Sequence, residues 1–159
     1  LLADIAGDAG ALSGEQGHEI LVQADSGLWL TGCDKELRSA FSNLVFNAVR
    51  YTPAGGRIEI RWFADERGIY LAVEDDGEGI APHHLPRLSE RFYRVNRDRS
   101  RGSGGTGLGL SIVKHVLNNH GGQLRISSEL GKGSVFVCEF PPALRAPPSS
   151  AVDTHPLPA

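Results

Sequence analysis

The sequence predicts an α/β two-layer sandwich, in which a mixed β-sheet packs against about three helices. Stretches with apolar residues at helical spacing interleave with short runs in which apolar and polar residues alternate, as in strands. The chain has 159 residues, of which 40% are hydrophobic, enough for one domain with a core of its own. These two observations together favour a single globular α/β unit.

The predicted elements follow one another without an internal repeat. They are a short helix or entry segment at 1–14, strands at 18–24 and 28–33, a helix at 34–51, a hairpin at 57–63 and 69–74, a loop-rich region at 75–105, a helix at 107–119 and a closing hairpin at 123–128 and 134–140. Asp34 is the predicted N-cap of the first long helix. Gly121 and Gly122 are predicted to end the last helix.

We expect three regions along the chain. Residues 1–14 are a connecting segment, residues 15–141 form the domain, and residues 142–159 are rich in proline, alanine and serine, which predicts a disordered tail. The chain begins at Leu1 without a methionine, so we expect a piece of a longer protein.

Charge and cysteine content exclude some classes of function. The formal net charge of −3 gives no general electrostatic reason to bind nucleic acid. The two cysteines, Cys33 and Cys138, lack metal-ligand spacing and are expected to be buried free thiols. No apolar run approaches the roughly 20 residues that span a bilayer.

A glycine-rich segment, Gly104 to Lys114, leads directly into an apolar helical pattern. Glycine lets backbone N–H groups approach a ligand closely, and a helix that begins there adds unpaired N–H groups and the positive end of its dipole. This pattern predicts an anion site, most simply for phosphate. A flexible linker is the alternative. Leucine follows both Gly107 and Gly109, which excludes a Walker A loop.

The helix at 34–51 carries a second, polar face. Asn43, Asn47 and Arg50 lie on it, although asparagine is a poor helix former. The Asn47 side chain offers an oxygen that suits Mg²⁺, Arg50 suits phosphate, and Tyr51 would cover a base or pack in the core. An ordinary solvated face is the alternative.

Asp75 ends a predicted strand and leads into a turn that contains Gly77 and Gly79. A carboxylate there can accept a hydrogen bond from an exocyclic amine such as that of adenine, while the glycines pass close to the base. An acidic surface turn is the alternative. The arginines that follow suit a mobile lid or a solvated loop; they are Arg94, Arg97, Arg99 and Arg101.

Four ordered segments together resemble the N, G1, F and G2 boxes of sensor histidine kinases. They are residues 43–51 (NLVFNAVRY), 75–80 (DDGEGI), 90–95 (ERFYRV) and 105–110 (GTGLGL). The resemblance covers about residues 15–141 and implies the Bergerat ATP-binding fold shared with DNA gyrase. Leu37 to Ala40 and Arg87 to Val95 are similar to the phosphate-regulon subgroup, since Ser89 stands where most relatives carry phenylalanine.

The resemblance implies ATP and Mg²⁺ as cofactors and assigns roles to particular positions. Asn47 would hold Mg²⁺, with Asn43 supporting the metal or phosphates, and Asp75 would bind the adenine amine. The remaining implied binding residues are Arg50, Tyr51, Gly77, Gly79, Ile80, Tyr93, Arg94, Gly105, Thr106, Gly107, Leu108, Gly109, Leu110 and Ser134. Of these, Tyr93 and Arg94 would anchor the lid, and Arg94 joins Asn43 and Asn47 as a catalytic candidate.

The resemblance also favours phosphoryl transfer over hydrolysis. Related ATPases such as gyrase usually begin this box with a water-activating glutamate, but Asn43 cannot act as a general base. The acceptor would be a histidine on a separate dimerisation domain, because His18 lies in a strand pattern without the residues that follow an acceptor histidine. An ATPase or chaperone-type module and a non-catalytic nucleotide-binding regulator are the alternatives.

For the protein as a whole, the resemblance implies a homodimeric sensor kinase in the bacterial inner membrane, with this domain on the cytoplasmic side and monomeric when isolated. Its partners would be the dimerisation and phosphoacceptor domain and a response regulator, with no nucleic acid.

Overall fold

The computed structural model describes residues 1–91, 93 and 109–147. Three α-helices lie in this part of the chain: α1 (Leu2–Ser13), α2 (Asp34–Tyr51) and α3 (Gly109–Asn119). The main sheet contains β1 (Glu19–Ala24), β3 (Arg57–Ala64), β4 (Ile69–Asp75), β5 (Gln123–Glu129) and β6 (Gly133–Phe140), and a small sheet pairs β2 (Trp29–Leu30) with β7 (Arg145–Ala146). The predicted two-layer sandwich is confirmed.

The main sheet is mixed and has the order β1-β3-β4-β6-β5. Strands β1 and β3 run parallel, and every other neighbouring pair is antiparallel. Because side chains alternate along a strand, Leu71, Val73 and Asp75 of β4 share one face of the sheet, and all three are buried. The helices cover this face, so the last residue of β4 turns a carboxylate toward them.

Helix α2 lies on the sheet through its predicted apolar stripe of Leu37, Phe41, Leu44, Val45 and Ala48, all of which are buried. Full burial of one such large apolar side chain contributes about 1.5–3 kcal/mol to folding. The polar residues Asn43, Asn47 and Arg50 lie on another side of α2 and are not part of this core.

The start of α2 differs from the sequence prediction. Cys33 is its N-cap, no side chain caps the helix, and Asp34 is instead the first helical residue, where its charge complements the helix dipole. The Cys33 backbone N–H donates to His120 Nε2 at 3.1 Å, and His120 Nδ1 donates to the Val116 carbonyl at 2.7 Å. Cys33 is exposed and only Cys138 is buried, which corrects the expectation for Cys33.

Residues 1–14, expected as a helix or an entry segment, form α1. Its Ile5 and Ala9 are fully buried in the same core as α2. His18 links the two helices, because its Nε2 donates to the Thr52 carbonyl at 2.7 Å and its Nδ1 lies 2.7 Å from Ser13 Oγ. Both ring nitrogens of His18 are thus engaged within the fold.

Regular structure extends beyond residue 141, where the sequence predicted that the disordered tail begins. A 3₁₀ turn at Pro142–Leu144 precedes β7, and the Thr31 N–H donates to the Leu144 carbonyl at 2.8 Å. Two residues of β pairing with a distant strand leave no periodicity in the sequence, so this segment could not be recognised. Residues 148–159 lie outside the described part. Among the described helices, none is both long and apolar enough to cross a membrane.

Candidate nucleotide-binding site

The polar face of α2 meets the first turn of α3. A Cβ atom built on Gly109 would lie 3.1 Å from Asn43 Oδ1 and 3.7 Å from Asn47 Nδ2, so glycine permits this approach. Asn43 Nδ2 donates to the Ser39 carbonyl at 2.8 Å, which fixes the orientation of its amide and leaves Oδ1 beside α3. The N-terminal turn of α3, where the helix dipole is positive, therefore lies next to two side-chain amides.

Several of the predicted phosphate-loop and lid residues lie outside the described residues; they are Arg94, Arg97, Arg99, Arg101, Gly105, Thr106, Gly107 and Leu108. Gly109 and Leu110 form the first turn of α3. Their predicted contact with phosphate stays a prediction.

Asp75 ends β4 beside the C-terminal end of α2 and is 8% exposed. The Gly77 N–H donates to Asp75 Oδ1 at 3.0 Å. Burial raises the pKa of Asp75, with smaller contributions in the same direction from Asp76 and Glu74, while hydrogen bonds from the Gly77 and Ser134 backbones oppose the shift. A buried acceptor with a raised pKa is typical of a ligand-binding carboxylate.

The neighbouring Asp76 has a different environment. It is exposed, and its Oδ1 accepts a hydrogen bond from the Arg57 N–H at 2.8 Å. Asp76 therefore ties the turn to the start of β3, and Asp75 alone of the two faces the helices.

Two glycines let the turn after Asp75 pass between α2 and the β5–β6 turn. A Cβ on Gly77 would lie 2.8 Å from the Tyr51 carbonyl oxygen, and one on Gly79 would lie 2.1 Å from the Glu129 carbonyl oxygen. Gly79 also has a φ of +72°, which L side chains rarely adopt. These positions need glycine for backbone reasons alone.

Serine hydroxyls hold the far side of this turn. Ser134 pairs with Asp75 in the β4–β6 register and is 6% exposed. Ser134 Oγ lies 2.8 Å from Ser128 Oγ, and Ser128 Oγ also accepts a hydrogen bond from the Ile80 N–H at 2.7 Å. The structure thus brings Asp75, Ile80 and Ser134 together at one end of the sheet.

Tyr93 lies beside the 3₁₀ helix Pro82–Arg87. Its hydroxyl is hydrogen-bonded to His84 Nδ1, and the Arg87 guanidinium carbon lies 4.4 Å from the centre of its ring, a cation–π contact. Burial, followed by His83 and Arg87, lowers the pKa of His84, which favours a neutral ring whose Nδ1 accepts a hydrogen bond from the Tyr93 hydroxyl. These contacts hold Tyr93 against the 3₁₀ helix, and its role as an anchor of the lid stays a prediction.

Arg50 and Tyr51 end α2 on the exposed side, and Tyr51 is 56% exposed. The backbone of Tyr51 lies against the turn that contains Gly77, whereas its ring does not pack in the core. Its large exposed ring is free to cover a base, and the role of Arg50 stays a prediction.

Sequence reasoning missed three residues around the site. Ser128 could have been found, because the predicted closing hairpin places it opposite Ser134. The Thr52 hydroxyl is buried, and no hydrogen-bond partner for it occurs among the described residues. His84 gave no signal, since its contact with Tyr93 depends on the path of an irregular segment.

Ser89 lines a cavity of about 280 Å³ together with Leu85, Leu117, Leu124 and Ile126, among others. Ser89 is the position where the resemblance leads one to expect phenylalanine. With the small side chain of Ser89, the half-buried Leu124 and Ile126 of β5 line an open cavity.

Comparisons with known proteins agree with this arrangement. Residues 32–144 match the family "Histidine kinase-, DNA gyrase B-, and HSP90-like ATPase". The chain is 59% identical over 143 residues to the phosphate regulon sensor protein PhoR of Pseudomonas aeruginosa, covering 90% of this chain and 32% of that protein. It therefore spans about a third of the length of this relative.

Two solved structures are also similar. The mycobacterial sensor histidine kinase MprB superposes with a TM-score of 0.73 at 27% identity, over 92% of this chain and 95% of that one. Full-length ShkA, in complex with AMPPNP, superposes with a TM-score of 0.75 at 30% identity, over 92% of this chain and 29% of that one. The chain therefore belongs to the histidine kinase-, DNA gyrase B- and HSP90-like ATPase family, as an ATP-binding catalytic domain of the sensor histidine kinase type.

Proposed function

We propose that this domain holds Mg-ATP between α2, the start of α3 and the Asp75 turn, and that it positions the γ-phosphoryl group for transfer to a histidine of a separate dimerisation and phosphoacceptor domain. The observation that carries the proposal is that Asn43 and Asn47 border the first turn of α3, while the buried Asp75 lies beside the C-terminal end of α2. We place the triphosphate at the first position, the phosphate end of the site, and the base at the second, the base end.

The phosphate end suits a hydrated divalent cation. Asn47 is half-buried, and no hydrogen bond to its amide occurs within residues 1–91, 93 and 109–147, so its oxygen is available as a ligand. Mg²⁺ prefers oxygen ligands and keeps several waters, so one amide oxygen together with phosphate oxygens would suffice. Bound there, the cation would offset the charge that develops on the phosphates.

In the proposed reaction, an imidazole nitrogen of the acceptor forms a bond to the γ-phosphorus, and the bond to the β,γ-bridging oxygen breaks. ADP leaves, and the imidazole loses its N–H proton to solvent. The contribution of this chain is to hold and orient the donor. The histidines at 18 and 120 are poor acceptors, because each has both ring nitrogens hydrogen-bonded within the fold.

The test mixes the domain with radiolabelled ATP and a separately produced dimerisation domain that carries its acceptor histidine. We expect phosphate that is acid-labile and base-stable on the acceptor, and none when the acceptor histidine is replaced by alanine. Binding of ATP without any transfer would contradict the kinase proposal and favour a nucleotide-binding regulator. Steady release of phosphate by the domain alone would favour an ATPase.

We further propose that the parent protein is a phosphate-regulon sensor, homodimeric and bound to the inner membrane, which hands its phosphoryl group to a response regulator. The 59% identity to the PhoR protein supports this subgroup. Deletion of the parent gene should then abolish the transcriptional response to phosphate starvation. A normal response in that strain would exclude the subgroup.

A further inference from the structure

Ser128 Oγ is shared among three partners at the base end of the site. It lies 2.7 Å from the Ile80 backbone nitrogen, 3.0 Å from the Gly133 carbonyl oxygen and 2.8 Å from Ser134 Oγ. A hydroxyl has one proton to donate and two lone pairs to accept with. The three contacts therefore use its whole hydrogen-bonding capacity.

The chemistry of the partners decides where the protons lie. The Ile80 N–H can only donate and the Gly133 carbonyl can only accept, so the Ser128 proton points to Gly133. The Ser134 hydroxyl must then donate to the second lone pair of Ser128. This is the one assignment that satisfies all three contacts, as expected for buried polar groups.

The consequence concerns the residue beside Asp75. With its proton committed to Ser128, Ser134 retains only lone pairs, and the ionised Asp75 carboxylate likewise offers only lone pairs. The two residues are paired in register on the helix-facing side of the sheet and are both buried. They therefore present acceptors without a donor to any base bound against them.

We propose that Ser128 is a positioning residue for base selection, which holds Ser134 as an acceptor so that the site takes a 6-amino purine and rejects a 6-oxo purine. An exocyclic amino group donates to acceptors, whereas a carbonyl at the same ring position would face lone pairs. Buried polar groups left unmatched in this way discriminate strongly between ligands. The inference rests on the proposed contact between Asp75 and adenine.

The test compares ADP with inosine diphosphate by titration calorimetry, because these nucleotides differ at the purine 6-position and in the proton on N1. Ser128→Ala frees the Ser134 proton to rotate toward the base. We expect the ratio of ADP to inosine diphosphate affinity to fall about 10-fold, the size of one hydrogen bond of typical strength. Ser128→Thr keeps the hydroxyl and should restore the ratio.

Two further variants separate selection from general damage to the site. Ser127→Ala, at the exposed neighbouring position of β5, should leave the ratio unchanged. In a Ser134→Ala background, Ser128→Ala should have no further effect on the ratio, since the two residues act through one hydrogen bond. A purely structural role would weaken both nucleotides equally.

The outcomes distinguish this inference from the proposed function. If the wild-type domain binds neither nucleotide, the proposed function itself is wrong. If it prefers ADP and folded Ser128→Ala keeps the same preference, Ser128 does not select the base. Should Ser128→Ala not fold, an unchanged preference in Ser134→Ala, the hydroxyl through which Ser128 acts, would overturn the inference.

Discussion

Asp75→Asn should strengthen the fold while weakening nucleotide binding. The asparagine oxygen can keep the hydrogen bond from the Gly77 N–H, which is 3.0 Å long, so the turn should survive. What is lost is the charge of a carboxylate that is 8% exposed. A hydrogen bond to a charged group is worth about 1.5–3 kcal/mol, which corresponds to an affinity for ADP about 10- to 150-fold lower.

The effect of the same substitution on stability has the opposite sign. Burial raises the pKa of Asp75 in the folded state above its value in the unfolded chain. The charged carboxylate therefore destabilises the fold, fully at pH values above the folded-state pKa, and this penalty disappears as the pH falls to the unfolded-state pKa. Asp75→Asn should raise the melting temperature of the nucleotide-free domain at neutral pH, and the gain should shrink on acidification.

Calorimetry with ADP and thermal melts between neutral and acidic pH measure both effects. Asp76→Asn is the matched control, because Asp76 is exposed and bonds to the Arg57 backbone rather than facing the helices. It should leave ADP affinity within about 2-fold of wild type, as for a substitution outside the site. Wild-type affinity in Asp75→Asn, or a loss as large in Asp76→Asn, would refute the placement of the base.

Three further predictions concern other parts of the chain. Gly79→Ala should lower the free energy of unfolding, measured in urea, by about 2–4 kcal/mol. Gly55 also has a positive φ, +77°, but a Cβ there would meet no atom within 4 Å, so Gly55→Ala should lower it by only about 1 kcal/mol. Equal losses in the two variants would contradict the steric argument. Asn47→Ala should remove most of the Mg²⁺ dependence of ADP affinity, measured with and without chelator, and an unchanged dependence would exclude Asn47 as a ligand. Burial raises the pKa of Cys138 to about 12, so iodoacetamide at pH 8 should label Cys33 alone in the native domain, as seen by mass spectrometry.

The long elements could be predicted because their own residues carry the period of the structure. The apolar stripe of α2 and the alternation along β3, β4 and β6 fix both the type of element and the face that packs. The same alternation predicts that Asp75 and Ser134 point to one side of the sheet. The roles of Asp75 and Ser134 toward a base are what the resemblance implies, and they stay predictions.

Contacts between distant parts of the chain could not be predicted in this way. The N-cap of α2 is supported by His120, 87 residues away, and no local pattern reports such a pairing. β7 is only two residues long, and Tyr93 meets His84 through irregular backbone. For residues 105–108 of the predicted phosphate loop and most of the lid, which lie outside the described residues, the predictions stand as made.

On the proposed function, Asn43 would explain why a domain built this way holds ATP without hydrolysing it. Its Nδ2 donates to the Ser39 carbonyl, so the amide is fixed, and an amide oxygen cannot take a proton from water near neutral pH. Water needs such a base in order to attack the γ-phosphorus, but a neutral imidazole already carries a lone pair on nitrogen and does not. On the proposed mechanism, replacing a carboxylate with an amide at this one position suppresses hydrolysis and leaves transfer to histidine intact. The choice of histidine over water as the phosphoryl acceptor then depends on the nucleophile, and the domain has only to bind and orient ATP.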